Sequence, residues 1–536
     1  MQDKIVKGSK KLAATPRYVS PNQLSLIGFE TPYEQKLYKH NRWVKMAQLI
    51  PWDSIVSHYD KLFTSSEGRP PISGRVILGS IFIKHLGDLS DRETIAQIQE
   101  NMFMQYFLGY SSFTNEAPFS PTLFVEIRGR LNLELLSKIN DVIAVLSVEK
   151  EAAKIEQDRQ LLQKNTPAPE PQEPTVENKD QQVDVNNNAI TNFTTDPERP
   201  IDNISAALKV NKGRLLMDAT VAPQNITFPT DLKLLNAARI KSEQLIDVLY
   251  QPSLHGAVKV RTYRQTARKK FLNTAKKKHK TNKEIYKSNG SQLRYLKRNL
   301  GHITKLLESY KKIPLTAQQL KYLMVLHAVY DQQELMHSSH IKRVDDRIVN
   351  IHQPHVRPIV RGKEKAKVEF GSKLQVSIVA GYTFIDHFSW DAFNEGGYLM
   401  ESVEKYKKRF GFYPAQVLAD QIYCTRDNRK QLKLLDIHLI AKPLGRPSAQ
   451  ALKVHLSPGE RNPVEGKFGQ AKVAYGLEKI RAKLSNTSQS WIAAIAIVLN
   501  LVKLTRLATI RQIFLLNKLL NIRIERFTTW SNLNFK

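Results

Sequence analysis

The chain has 536 residues, with 81 Lys and Arg against 50 Asp and Glu and a formal net charge of +31. Its 41% hydrophobic content is enough to build packed cores, which excludes a disordered basic tail. The single cysteine, Cys424, excludes an internal disulfide and a thiolate zinc cluster, and suits a reducing cytoplasmic home. A surface this positive favours a polyanionic partner, nucleic acid above all.

The opening segment MQDKIVKGSKKLAATPRY is basic and lacks the apolar stretch of a secretory signal. From Ile72, ISGRVILGSIFIKHLGDL places apolar residues at three- and four-residue steps and predicts a helix. A second helix is expected at SDRETIAQIQENMFMQYFLG, where Ser90 and Glu93 have capping-box spacing. A third is expected at SPTLFVEIRGRLN, with Ser120 as cap and Pro121 behind it. Short helices with basic flanks suit either a helix-turn-helix-like DNA reader or a plain helical packing domain, over residues 1–150.

Composition then shifts. Thr166–Pro200 is rich in Pro, Gln and Asn and poor in apolar residues, so residues 151–206 read as a flexible linker. Residues 207–515 read as a second domain. Leu215–Met217 predicts a buried strand that ends at Asp218. A basic, mainly helical insertion follows at about 234–365. Within it, Lys259 to Arg298 holds fifteen Lys or Arg and one acid, Glu284, with Tyr263, Phe271, Tyr286 and Tyr295 interleaved. Such a run is either a solvated helix face or a nucleic-acid surface. The near-complete sign bias favours the latter, with Lys269, Lys270, Lys276, Lys277 and Lys278 as candidates.

Strands resume at Leu374–Ala380 and Tyr382–Trp390 around Gly381. A helix stopped by Gly411, a strand ending at Asp420, a short helix and a further strand come next. The apolar run Trp491–Val502 is too short for a bilayer and predicts a buried core helix, so no membrane partner is expected. Residues 516–536 read as a tail. The fold class is a mixed α/β sheet flanked by helices, with a helical domain ahead of it.

The stretch ERNPVEGKFGQAK, Glu460–Lys472, admits two readings. In one, Asn462, Pro463 and Glu465 are the cap, first turn and capping-box acid of a helix. In the other, Glu465 is a metal ligand, with Arg461 and Lys472 holding an anionic substrate beside it. Phosphodiester chemistry needs an activated oxygen and a neutralised phosphate. Two divalent ions about 4 Å apart supply both. Hard ions prefer carboxylate oxygens, and Asp218, Asp420 and Glu465 offer three of them from neighbouring elements.

With these residues the chain resembles the DDE transposases of bacterial insertion sequences. The likeness spans most of the chain apart from the linker and the termini. It rests on MDATVAPQNITFPTDLKLL, VRPIVRGKEKAKVEFGSKL, FGFYPAQVLADQIYCTRDNR and ERNPVEGKFGQAKVAYGLEKIRAK. It implies a ribonuclease-H-like catalytic core in which Asp218, Asp420 and Glu465 are the catalytic, metal-binding acids for two Mg²⁺ or Mn²⁺ ions. The family signature around the third acid is Tyr-x2-Arg-x3-Glu-x6-Lys. Arg461, Glu465 and Lys472 match it, and Pro458 stands at the tyrosine position. The helical region ahead of the core resembles the N-terminal DNA-binding domain of such enzymes. The resemblance implies an enzyme that binds terminal inverted repeats and cleaves and transfers DNA strands, as a homodimer on transposon-end and target duplex, in the bacterial cytoplasm beside the nucleoid. No GxxxxGK[ST] loop is present, so no ATP requirement is expected. A transposase-derived DNA-binding protein that no longer cuts, and a cellular nuclease of the same fold, remain open.

Overall fold

The computed structural model describes residues 36–63, 71–164, 211–360, 368–441 and 462–505, with the side chains of the helix that ends at Lys164 described to residue 153. The described chain opens with helices α1 (Arg42–Leu49), α2 (Trp52–Asp60), α3 (Gly74–Leu86), α4 (Asp91–Glu100), α5 (Met102–Phe107), α6 (Leu123–Arg130) and α7 (Leu133–Lys164). The capping box at α4 is present: Glu93 N–H donates to Ser90 Oγ at 3.2 Å, and Ser90 N–H donates to Glu93 Oε2 at 2.7 Å. The cap expected at Ser120 is not. Thr122 already has helical backbone angles, and the Ser120 hydroxyl pairs with that of Thr122 at 2.9 Å, so the chain turns once before α6 begins.

Twelve of the thirteen residues of α3 are buried. Its sequence is apolar on every side, so it packs as a central rod. Gly79 allows that packing, since an added Cβ would stand 2.5 Å from Leu108 Cδ2. α3 is therefore a core helix of this region. Residues 151–164, the first part of the stretch expected as a linker, continue helix α7 to Lys164. The rest of that stretch, 165–206, lies outside the described residues.

After strand β1 (Arg214–Pro223) come helices α8 (Asp231–Leu249), α9 (Pro252–His255), α10 (Arg264–Ala275), α11 (Asn282–Glu308) and α12 (Ala317–Ser338). They share their own core, with Leu235, Ile246, Leu296, Ile303 and Val329 inside it. Strands β2 (Arg357–Val360), β3 (Val368–Val379) and β4 (Tyr382–Ser389) follow, then α13 (Leu399–Phe410), β5 (Gln416–Leu418), α14 (Arg426–Leu434), β6 (His438–Ile440), α15 (Asn462–Ala474) and α16 (Ser485–Thr505).

The sheet has six strands: five in the order β2-β3-β1-β5-β6, and β4 paired to β3 off that path. The long β3 pairs with β1 along one edge and with β2 and then β4 along the other, all antiparallel. β5 joins β1 in parallel, and β6 joins β5 in parallel. This is the mixed sheet expected. One expectation is corrected: β1 does not stop at Asp218. Its partner β3 continues, and pairing runs from Leu216↔Ile378 to Pro223↔Gly371. The backbones come close at the far end, where a Cβ on Gly371 would lie 2.1 Å from the Ala222 carbonyl oxygen.

Among the described residues α16 is the one helix long and apolar enough to cross a bilayer, more than the run Trp491–Val502 alone suggests. Yet 78% of its most apolar window is buried in the fold. Ala493, Ala494, Ile497 and Leu501 join the core of the N-terminal helices. Trp491, Ile492, Ile495, Val498 and Leu499 cover the sheet at Ala222, Leu374 and Val376. A buried polar node ties the layers together: Asn500 Nδ2 donates to Asn140 Oδ1 of α7 and to the Thr383 carbonyl of β4, each at 2.9 Å.

Candidate active site

The site is a notch in the sheet. β5 pairs with β1 only as far as Leu216↔Leu418. Asp218 and Asp420 each lie two residues beyond that pair, on parallel chains that have begun to part. Crevices at the carboxyl ends of parallel strands are natural binding sites, because backbone groups and side chains there are no longer committed to the ladder. Asp218 is half-buried within β1, and its Oδ1 accepts from the Ala219 N–H at 2.8 Å. Asp420 is exposed and caps a single 3₁₀ turn, Gln421–Tyr423, with its Oδ1 accepting from the Gln421 N–H at 2.8 Å.

The third acid comes from α15. Val464 and Ala471, two turns apart, are buried and fix that helix against the sheet. Glu465 and Lys472 follow them at the same spacing and therefore share the adjoining rim. Asn462 is the first residue of α15 rather than a cap outside it, and Glu465 sits in the first turn, where the helix dipole favours an anion. Asp218, Asp420, Glu465 and Lys472 line one cleft of about 650 Å³, together with Lys373 and Glu395. Lys472 Nζ lies 4.0 Å from Glu369 Oε1 of β3. Arg461 and Pro458 lie outside the described residues.

The donor chemistry of this cleft suits a hard divalent ion: carboxylates from a strand, a turn and a helix converge on it. Among the described residues no three His, Cys, Asp or Glu side chains stand close enough together to hold an ion as they are now placed.

Lys269 and Lys270 lie on α10, and Lys276, Lys277 and Lys278 just beyond it, all exposed. Lys269, Lys276 and Lys277 line a second, open cleft of about 630 Å³. Lys277 is ion-paired with Glu284, and Lys270 Nζ lies 5.6 Å from the Tyr295 ring. Cys424 is buried, and burial pushes its thiol up while Arg429 pulls the other way, as befits a filler rather than a nucleophile. Sequence reasoning missed Lys373 and Glu395. One is on a strand and the other in a short turn, and neither belongs to a spaced motif.

The structure thus combines a mixed sheet, a notch lined by acids and a strongly basic helical insertion. Among known families, a Transposase domain (DUF772) matches residues 31–130, and a Transposase DDE domain matches residues 417–502, which hold Asp420 and Glu465. Two separate parts of the chain are thus similar to transposase domains, the second of them of the DDE type. Asp218 falls outside both matched regions. The chain is also 31% identical over 99 residues to the uncharacterized protein ORF8 in the nfe locus of Rhizobium meliloti, a match that takes in 18% of this chain and 46% of that protein. No solved structure matches the chain.

Proposed function

We propose that the protein binds the terminal inverted repeats of its own insertion sequence, cleaves the DNA at the element's ends and joins them to target DNA. The observation that carries this reading is the meeting of Asp218, Asp420 and Glu465 in one cleft of a chain with net charge +31. Asp218, Asp420 and Glu465 would hold two Mg²⁺ or Mn²⁺ ions. When bound, such ions activate the attacking oxygen and stabilise the leaving one. Lys472 and Arg461 would bind phosphates of the DNA, arginine as a planar fork and lysine as a point charge. In the first step a water oxygen bonds to phosphorus and the P–O3′ bond breaks, with the proton passing to the freed 3′-oxygen. In the second, the oxygen of that 3′-hydroxyl bonds to a target phosphorus and the target's P–O3′ bond breaks, with the hydroxyl proton passing to the expelled 3′-oxygen. Both are in-line displacements and need no covalent protein intermediate. Pairing two ends calls for at least a dimer on DNA, and the setting is the bacterial cytoplasm.

The test is cleavage of labelled repeat-ended duplex in Mg²⁺. Asp218→Asn, Asp420→Asn and Glu465→Gln should each bind the duplex as the wild type does and leave it uncut. Cleavage that survives Asp218→Asn refutes the site. Tight binding without cutting by the wild type, in Mg²⁺ and in Mn²⁺, would make it a non-catalytic DNA-binding protein. Equal cutting of random duplex would make it a nuclease.

A further inference from the structure

The cleft has a second wall that no motif announces. On β3, Val376 faces Asp218 of β1 while Lys373 faces Val221, an odd number of residues away. Lys373 therefore leaves the sheet on the side opposite Asp218. It still lines the same cleft, because among the described residues no strand pairs with the β5-side edge of β1 between Leu216 and the bridge Gln224↔Ile480. There Lys373 Nζ is 2.9 Å from Glu395 Oε1, donates to the Phe393 carbonyl at 2.8 Å, and lies 4.8 Å from the Phe393 ring. Both side chains are largely buried, at 14% and 20% exposed. An ammonium has three protons, and these contacts use two.

Glu395 is itself held. It opens a 3₁₀ turn whose Gly396 packs so close to the chain after Asp420 that a Cβ would meet the Ile422 carbonyl oxygen at 2.7 Å. Asn428 Nδ2 bridges the two turns, donating to the Gly396 carbonyl at 2.7 Å and the Tyr423 carbonyl at 2.9 Å. The segment that aims Lys373 is thus bolted to the segment that carries Asp420.

We propose that Lys373 is a substrate-contacting residue of the cleft, binding a backbone phosphate of the strand being cut from the face opposite Asp218 and Glu465, and that Glu395 is the positioning residue that aims it. The strand would then run along the open edge of β1, with carboxylates on one side and a lysine on the other. Developing charge on the reacting phosphate would meet a donor already in place, which is where such an interaction is worth most. This rests on the transposase reading above.

The test measures two quantities in parallel on repeat-ended duplex. One is the salt dependence of binding in EDTA. The other is single-turnover cleavage at saturating DNA in Mg²⁺. Lys373→Gln should lower the log–log salt slope by roughly one and the cleavage rate about 100-fold. Lys373→Arg should keep the slope and recover part of the rate, since the charge is retained and the geometry is not. Glu395→Gln should leave the slope unchanged and slow cleavage about tenfold, because the charge remains and its aim is lost. A Lys373→Gln protein that cuts within about threefold of wild type overturns the proposal, as removing a charge-assisted hydrogen bond costs about tenfold or more. If Lys373→Gln does not fold, a wild-type rate in Glu395→Gln overturns it equally. Failure of the wild type to cut would strike the transposase reading itself, whereas a cutting wild type, a dead Asp218→Asn and an active Lys373→Gln would strike only this one.

Discussion

His85, near the end of α3, is fully enclosed, with its ring edge-on to Trp491 of α16 at 4.8 Å. Burial, and then the cations Lys84, Arg128 and Arg481, hold its imidazole well below the ordinary value of 6.5, with Asp91 the one opposing charge. The native chain keeps this histidine neutral while the unfolded chain takes up a proton near its ordinary pKa. The contribution is therefore present above about pH 6.5 and lost as pH falls below it. His355 is pushed down in the same way, to about 4, by burial and by Lys321 and Arg357. Thermal unfolding between pH 7 and pH 5 should show Tm falling with acid, and His85→Leu should flatten part of that fall. An unchanged pH slope in His85→Leu would mean that the ring is protonated in the fold.

At the scale of elements, the long basic helices are the clearest case of a surface without internal compensation. The acids that meet this run are few: Glu284 pairs with Lys277, and Asp247 pairs with Lys259 and Arg264. The burial of α11 explains its structural half. Leu293, Leu296, Leu300 and Ile303 repeat at three and four residues and pack into the insertion's core, which leaves the cations outside. Neutralising Lys269, Lys270, Lys276, Lys277 and Lys278 to Gln should therefore spare the fold and weaken binding to every DNA sequence alike. For each phosphate that the protein no longer neutralises, the log–log salt slope should fall by roughly one. An unaltered slope would make this run a solvated face.

At the scale of the whole molecule, α16 makes one body of two parts of the chain. Its one face belongs to the N-terminal helices and its other to the sheet that carries Asp218, and Arg409 of α13 adds ion pairs to Asp141 of α7 at 3.0 Å and to Asp386 of β4 at 2.7 Å. Ile497→Ala, at a fully buried position on the helical side, should cost about 2–5 kcal/mol. Because the helix is shared, hydrogen exchange should accelerate in β1 and β3 as well as in α3. Loss of protection confined to the N-terminal helices would show that the two parts open independently.

What could be read from the chain was what depends on near neighbours. The box at Ser90 and Glu93, the helical repeat of α11, the apolar α3 and the seven-residue spacing of Glu465 and Lys472 are local, because helix geometry brings residues three, four and seven apart onto one side. The likeness carried by the stretches around Asp218, Asp420 and Glu465 was legible for the same reason, as contiguous runs of residues. Contacts between distant segments decided the rest. The length of β1 is set by β3, so Asp218 lies within a strand and not at its end. The notch exists because β5 stops pairing while β1 continues. Lys373 and Glu395 line the cleft beside an edge of β1 that no described strand pairs with there, and α16 is apolar all round because two cores press on it. Side chains far apart in sequence meet through sheet register and packing, and neither is written in the spacing of residues along a single chain.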